Sequence, residues 1–205
     1  MLFTALPSLL FAVVTFAFSA SGKRVNTASD LHFYVRSRNP VTNNRKLALR
    51  PYLHDEAFGH PNGTTHYVGV DSTSPELVAN MSAGGLYSTS SATLRHTAYL
   101  NLQQGFPDPG QTEQYLVFFA NYTELPQAAD NDWTLSVGQG IFDLRHNQPA
   151  DTEASFALCE ADFNLNFGPW YDLTYVWYTG TPAPLKKCEY ITIESIQAGS
   201  RGSTN

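Results

Sequence analysis

The stretch that decides the fold is Tyr115-Leu116-Val117-Phe118-Phe119-Ala120, an apolar run with no polar interruption. A continuous apolar run of this length is typical of a central β-strand that is buried on both faces. Thr97-Ala98-Tyr99-Leu100-Asn101-Leu102 precedes it and Trp133-Thr134-Leu135-Ser136-Val137 follows it. Both of these runs alternate with a period of two, which is the pattern of a half-buried strand. The middle of the chain therefore predicts β structure.

Similar runs extend outward from this centre in both directions and are separated by turns rich in proline, glycine and asparagine. They cover residues 31–36, 46–50, 66–70, 141–144, 155–159, 172–178 and 188–193. One short helical turn is predicted at 74–79, with Ser74 as N-cap and Pro75 at the first helical position. Many short strands favour a sandwich or barrel over a βαβ fold, and of these we expect an all-β antiparallel β-sandwich.

The first 24 residues predict a secretory signal peptide and a short pro-segment. The segment from Leu9 to Phe18 is apolar apart from Thr15, and small residues lead from it to the dibasic pair Lys23-Arg24. We expect a signal cut after Ser19 and a kexin-type cut after Arg24. A retained signal anchor is the alternative, because the uncharged stretch is nearly long enough to span a bilayer.

Processing at these sites predicts a secreted protein, extracellular or in the cell wall, in which residues 25–196 form a single domain. The segment 197–205 has almost no apolar content and is expected to be a flexible tail. Loss of Lys23 and Arg24 would lower the formal charge from −6 to −8. An acidic surface disfavours nucleic acid and anionic lipid as partners. After signal removal, no other stretch is apolar enough to cross a membrane.

Cys159 and Cys188 make up the complete cysteine content. An even pair in a secretory chain predicts a disulfide, which would close a loop of roughly 30 residues and stabilise the fold by about 3 kcal/mol. Two free core thiols are the alternative.

Three acceptor triplets for N-glycosylation begin at Asn62, Asn80 and Asn121. Asn62 is the strongest candidate because it lies in a turn-like Pro-Asn-Gly sequence. Asn121 is the weakest because it ends the apolar run. Triplets of this kind also arise by chance in a chain rich in Asn, Ser and Thr.

Three carboxylates are the candidates for catalysis. Glu160 and Asp162 flank Ala161 and would share one face of a strand, while Glu189 follows Cys188 and would be brought near Glu160 by the disulfide. Glycoside hydrolysis uses paired carboxylates about 5–9 Å apart. The alternative interpretation is a solvated rim of charges beside the disulfide.

Aromatic residues are dense between 170 and 178, and the ligand-binding candidates are Trp170, Tyr175 and Trp177. In a strand, Tyr175 and Trp177 would share a face with Tyr171, while Asp172 would point the other way. Exposed aromatic rings stack on sugars and anchor protein interfaces. An inward core face explains the same pattern, and we favour that interpretation.

His54, His60 and His66 recur every six residues, and the acidic residues Asp55 and Glu56 follow the first of them, so the three histidines are the candidates for a metal site. Their spacing matches no compact metal motif, and we favour a polar loop with exposed histidines. The chain contains no Gly-x-Ser-x-Gly nucleophile elbow and no phosphate-binding glycine loop with lysine. No metal and no cofactor is therefore expected.

The C-terminal third resembles a family of small secreted proteins from filamentous ascomycete fungi. The resemblance rests on Phe156-Ala157-Leu158-Cys159, on the aromatic strand Leu173-Thr174-Tyr175-Val176-Trp177, and on Cys188-Glu189-Tyr190-Ile191-Thr192-Ile193. The opening Leu31-His32-Phe33-Tyr34-Val35 also fits. The resemblance implies a β-rich secreted domain with one disulfide and no assigned catalytic residue.

Secretion, acidic charge and missing catalytic motifs together favour a non-enzymatic binding or cell-surface protein that contacts glycan, or a host or cell-wall protein. An exposed aromatic patch would support this hypothesis. A glycan-active hydrolase or lyase that uses the paired carboxylates is the alternative, and it requires two of those carboxyls in one cleft. A structural cell-wall component is the third possibility and would show neither feature.

Overall fold

The computed structural model describes residues 23–51, 65–90, 96–102, 112–120, 133–138, 141–146, 153–161, 170–178 and 187–197, with Gly180 and Leu185. These residues form thirteen β-strands. In chain order the strands are β1 (Lys23–Val25), β2 (Ala28–Arg36), β3 (Ala48–Pro51), β4 (Thr65–Val70), β5 (Val78–Ser82), β6 (Gly85–Ser88), β7 (Thr97–Leu102), β8 (Thr112–Ala120), β9 (Trp133–Gly138), β10 (Ile141–His146), β11 (Glu153–Glu160), β12 (Tyr171–Tyr178) and β13 (Cys188–Gln197). No helix that could cross a bilayer is found in this part of the chain.

Ten of these strands coincide with runs that the sequence predicts, and the apolar run ending at Ala120 is central as expected. It forms most of β8, which pairs with β7 on one side and with β4 and β12 on the other. Val117, Phe118, Phe119 and Ala120 are all buried. Because both faces and both edges of β8 are covered, this strand needs the continuous apolar sequence it has.

The strands close on themselves as an antiparallel barrel. The pairing order β13-β11-β12-β4-β8-β7-β6-β5-β2 returns to β13, because Arg36 pairs with Thr192 and Leu31 pairs with Gln197. Strands β10, β9 and β1 continue from β13 outside this ring. The prediction of an all-β antiparallel fold with one disulfide is confirmed.

The two-layer sandwich is corrected to a barrel of nine strands. A sandwich keeps two sheets apart at unpaired edges. Here β2 pairs with β5 along one edge and with β13 along the other, so no break separates two layers. Closure also removes the free edges of these strands.

The helical turn predicted at 74–79 is wrong, because this segment is extended. Leu49 donates its backbone N–H to the carbonyl of Pro75 at 2.9 Å, and Leu77 donates to the carbonyl of Leu47 at 2.8 Å. The carboxylate of Asp71 accepts the N–H groups of Thr73 and Ser74, which turns the chain before the extended segment begins. Pairing beside β3 therefore takes the hydrogen bonds that a helix would have used.

Alternate residues of the barrel strands point inward and form the main core. Phe33, Phe119, Trp133 and Tyr175 are among its largest fully buried side chains. A smaller cluster on the opposite face of β11 and β12 contains Ala157, Val176 and Tyr178. Both faces of β11 and β12 are therefore covered by side chains. Because their faces are covered, a pocket beside these two strands has to lie at their ends.

Candidate functional site

Three strand ends meet at a pocket of about 270 Å³ at one end of the barrel. Glu160 is the last residue of β11, Tyr171 is the first of β12, and Glu189 is the second of β13. The cavity, which we call the rim pocket, is lined by Asn39, Thr42, Leu158, Glu160, Tyr171, Lys187, Cys188 and Glu189.

Strand register explains why these side chains converge. Leu158 lies opposite Glu189, and Glu160 lies opposite Tyr171. Opposite residues of antiparallel neighbours point to the same side, and so do residues two apart on one strand. Leu158 belongs to the main core, so the polar side chains continue the inner face of the barrel to its rim.

The loop from Ser37 to Asn44 forms the remaining wall, and Glu189 holds it in place. Glu189 Oε1 accepts the backbone N–H groups of Arg38 at 2.8 Å and Asn39 at 3.0 Å. The loop is also bonded internally, since Ser37 Oγ lies 2.8 Å from Thr42 Oγ1 and Thr42 is 1% exposed. An ordered wall of this kind keeps a pocket formed before any ligand arrives.

Several polar groups of the rim pocket have no partner within the described residues. The Glu160 carboxylate and the Tyr171 hydroxyl make no hydrogen bond or ion pair there. Glu189 Oε2 and the side-chain amide nitrogen of Asn39 are also unused. The oxygen atoms Glu189 Oε1 and Asn39 Oδ1, in contrast, accept backbone N–H groups. The four unused groups are available to a ligand.

The pocket brings together two of the three predicted carboxylates, Glu160 and Glu189. Asp162 lies outside the described residues. Sequence reasoning missed Tyr171 and Lys187 as pocket residues, as well as the loop residues Asn39 and Thr42. Only the alternation that placed Tyr171 on the inner face of β12 gave a signal for any of them.

Asp172 has a raised pKa, and it does not line the rim pocket. Burial raises its pKa to about 6, although the hydrogen bond from Trp170 and the charge of Arg50 act in the opposite direction. Asp172 follows Tyr171 in β12 and therefore points to the opposite face of the strand. It is not positioned to act on a molecule beside Glu160.

Trp170 is fixed by its surroundings on three sides. Its indole N–H donates to Asp172, and the Arg50 guanidinium carbon lies 5.4 Å from the ring centroid. A Cβ atom placed on Gly69 would come within 2.6 Å of the ring, so glycine is required for this close approach. Trp170 is only 4% exposed and serves packing.

The other two aromatic candidates also belong to the core. Tyr175 is 2% exposed, and Trp177 is partly buried against the main core. Their rings are 6.2 Å apart, and Trp177 is 4.7 Å from the ring of Tyr115. The inward core interpretation is confirmed, and Trp170, Tyr175 and Trp177 do not form an exposed binding patch.

Of the three candidate metal ligands, the structure describes His66, while His54 and His60 lie outside the described residues. His66 is buried in β4, with its ring 5.5 Å from that of His96. The described residues contain no group of three or more His, Cys, Asp or Glu side chains suited to a metal ion. The expectation of an exposed polar loop does not hold for His66, because strand β4 takes it into the protein.

Cys159 and Cys188 lie opposite each other on β11 and β13 and form the predicted disulfide. Cys188 also lines the rim pocket, so the disulfide ties the rim of β11 to that of β13. Among the predicted glycosylation sites, Asn80 lies on β5 and accepts the backbone N–H of Asp30 through Oδ1 at 2.9 Å. Asn62 and Asn121 lie outside the described residues.

Comparison with known proteins adds no family to this description. No protein-family model matches the chain, and no curated protein or solved structure matches it either.

Proposed function

We propose that this protein is a secreted, non-enzymatic binding protein that holds a small polar ligand, such as one residue of a glycan, in the rim pocket. The observation that carries the proposal is the convergence of Glu160, Tyr171 and Glu189 on one cavity, with hydrogen-bonding groups left unused. The disulfide supports an extracellular site of action, because such bonds persist in oxidising compartments.

The chemistry of the lining suits a sugar ring. Leu158 supplies an apolar floor, and the ring of Tyr171 supplies a surface on which a sugar can stack. Glu160, Glu189 and Asn39 supply the hydrogen bonds that orient hydroxyl groups. The volume is just below the lower end, about 300 Å³, of pockets that hold drug-sized molecules. A single sugar unit is therefore a more suitable occupant than a long chain segment.

One feature favours binding over catalysis. Glu189 is committed to the loop, where it accepts two backbone N–H groups.

A glycan-active hydrolase or lyase remains the second candidate, and a specific observation favours it. Glu160 and Glu189 line the same cavity, as paired carboxylates in such enzymes do. In this alternative, Glu189 would stay ionised as base or nucleophile, and Glu160 would have to donate the proton.

A glycan array with the secreted, processed protein tests the main proposal. We expect Tyr171→Ala and Glu160→Gln to weaken binding at least about tenfold, because the first removes the aromatic ring and the second replaces a charged acceptor by a weaker, neutral one. Glu153→Gln is the matched control, since Glu153 is an exposed carboxylate at the other end of β11. Loss of binding in all three variants, or in none, would contradict the assignment of the site.

Analysis of the bound glycan by mass spectrometry separates the two candidates. A binding protein returns the glycan intact after long incubation. Shortened or unsaturated products that form with the wild type and not with Glu160→Gln would establish the enzyme instead.

A further inference from the structure

We infer that the ligand of the rim pocket carries a protonated primary amine, as the amino group of a deacetylated amino sugar does. This inference rests on the proposed function and narrows its ligand class. It comes from the unused hydrogen-bonding groups of the pocket, from its charge, and from its apolar floor.

The unused groups are mostly acceptors. Glu160 offers two carboxylate oxygens and Glu189 offers Oε2, whereas the unused donors are the Asn39 amide and the Tyr171 hydroxyl, which can also accept. The ammonium group of Lys187, which also lines the pocket, is a further donor. Glu160 is exposed and Glu189 is half-buried, so both carboxylates are in contact with water, and a ligand that displaces this water has to replace it with N–H or O–H donors. The pocket is therefore best satisfied by a ligand with more N–H and O–H donors than acceptors. An ammonium group offers three donors and no acceptor.

Charge favours the same ligand class. Glu160 and Glu189 contribute two negative charges and Lys187 one positive charge, so the lining is net negative in a chain of net charge −6. An anionic ligand such as a uronic acid would meet repulsion from both carboxylates. A cation gains an attraction that strengthens as the pocket excludes water.

The floor of the pocket distinguishes between sources of the amine. Leu158 and Tyr171 form a surface suited to the flat, weakly polar face of a sugar ring. A lysine side chain of a protein carries the same ammonium group on a flexible stem, and its ordering costs more conformational entropy. The amino sugar is the source that we propose, and the lysine amine is one arm of the test.

Isothermal titration with four ligands tests the inference. The ligands are a glucosamine oligomer, its fully N-acetylated form, a uronic acid oligomer of equal length, and a short lysine peptide. We expect the glucosamine oligomer to bind at least about fivefold more tightly than the acetylated form, since acetylation removes the charge and two donors. The uronic acid oligomer should bind most weakly, and the lysine peptide should bind below the glucosamine oligomer.

Variants locate the preference in the pocket. Glu160→Gln should bring the affinities for the glucosamine and acetylated oligomers close together, whereas Glu153→Gln should leave their ratio unchanged. Raising the salt concentration should weaken glucosamine binding and leave acetylated binding nearly constant.

The four affinities test the amine, the sugar as its source and the glycan-binding function separately. Equal or tighter binding of the acetylated oligomer would overturn the amine inference and leave the glycan proposal standing. A lysine peptide that binds more tightly than glucosamine would overturn the sugar as the source of the amine. Absence of binding by all four ligands to protein that unfolds cooperatively would overturn both the inference and the proposed function.

Discussion

The indole N–H of Trp170 is bonded to the carboxylate of Asp172, two residues further along the chain. The bond links the start of β12 to a partly buried carboxyl group beside Arg50 and opposite Gly69. Desolvation still outweighs both favourable neighbours, so the pKa of Asp172 rises to about 6. The ionised form of this residue is therefore a cost to the folded state.

The first prediction concerns stability against pH at Asp172. A raised folded-state pKa means that the folded protein binds this proton more tightly than the unfolded chain does. The free energy of unfolding should fall as the pH rises from about 4 to 6, by on the order of 2–3 kcal/mol, and then stay level. Asp172→Asn keeps an acceptor for Trp170 and should flatten this dependence in urea titrations across that range. A variant with the same slope as the wild type would assign the slope to other groups.

Glu76 should make the free energy of unfolding depend on pH in the opposite direction to Asp172. It accepts hydrogen bonds from Lys46 at 2.6 Å and from His32 at 2.8 Å, and these partners lower its pKa below the usual 4.5 despite partial burial. Its stabilisation is present above pH 4.5 and is lost as the pH falls through the folded-state pKa. Glu76→Gln should cost less than about 1 kcal/mol at pH 7, since the pair is partly solvated. The loss should shrink with added salt, and a salt-independent loss would point to packing instead.

Gly69 and Gly180 should resist substitution for different reasons. A Cβ atom on Gly69 would come within 2.2 Å of the Tyr171 carbonyl oxygen, so Gly69→Ala should destabilise the fold by about 1–3 kcal/mol or more through overpacking. Gly180 has open space around it and a φ of +77°, so Gly180→Ala should cost about 1 kcal/mol through backbone strain. Thermal unfolding of both variants checks this order. A larger loss for Gly180→Ala would contradict it.

The turn between β5 and β6 offers a stabilising change. Ala83 and Gly84 both have positive φ, at 48° and 82°, and they join the paired residues Ser82 and Gly85. A two-residue hairpin turn of this kind prefers Asn at its first position, because alanine is strained there. Ala83→Asn should therefore raise the free energy of unfolding by about 0.5–1 kcal/mol. A lower midpoint in urea would show that the turn does not hold this conformation.

Glu189 should act as the anchor of the pocket wall. Glu189→Ala leaves the backbone N–H groups of Arg38 and Asn39 without their acceptor and should cost about 1–3 kcal/mol. Glu189→Gln keeps a neutral acceptor and should cost about half as much. Hydrogen exchange at Arg38 and Asn39 reports the bonds directly. Unchanged exchange in Glu189→Ala would remove the anchor role.

Local sequence patterns predicted most strands but not how they assemble. The run ending at Ala120 predicts β8 because consecutive apolar residues indicate a strand that is buried on both faces. The hairpin of β5 and β6 is not predicted from the sequence, because alanine at position 83 is not a residue typical of a hairpin turn. The helical turn predicted at Ser74 is wrong because a capping pattern reports only local sequence. The extended conformation comes from pairing with residues near β3, which are distant in sequence.

The same distinction applies to the site. Glu160 and Glu189 could be placed near each other because the disulfide joins their neighbours. Tyr171 could be assigned to a face, but a face does not show whether a residue lies in the core or at its rim. Asn39 and Thr42 reach the pocket only through the loop that Glu189 holds, which no spacing in the sequence reveals.

The pairing of β2 with β13 also sets the order of events during synthesis. Arg36 of β2 pairs with Thr192 of β13, so a strand that is synthesised early can form this pairing only after the last strand of the barrel is synthesised. Such non-local contacts make folding slow and leave unpaired strand edges exposed while the chain grows. The barrel can close only after β13 has left the ribosome, and until then the edge of β2 that β13 will cover is open to pairing with another strand.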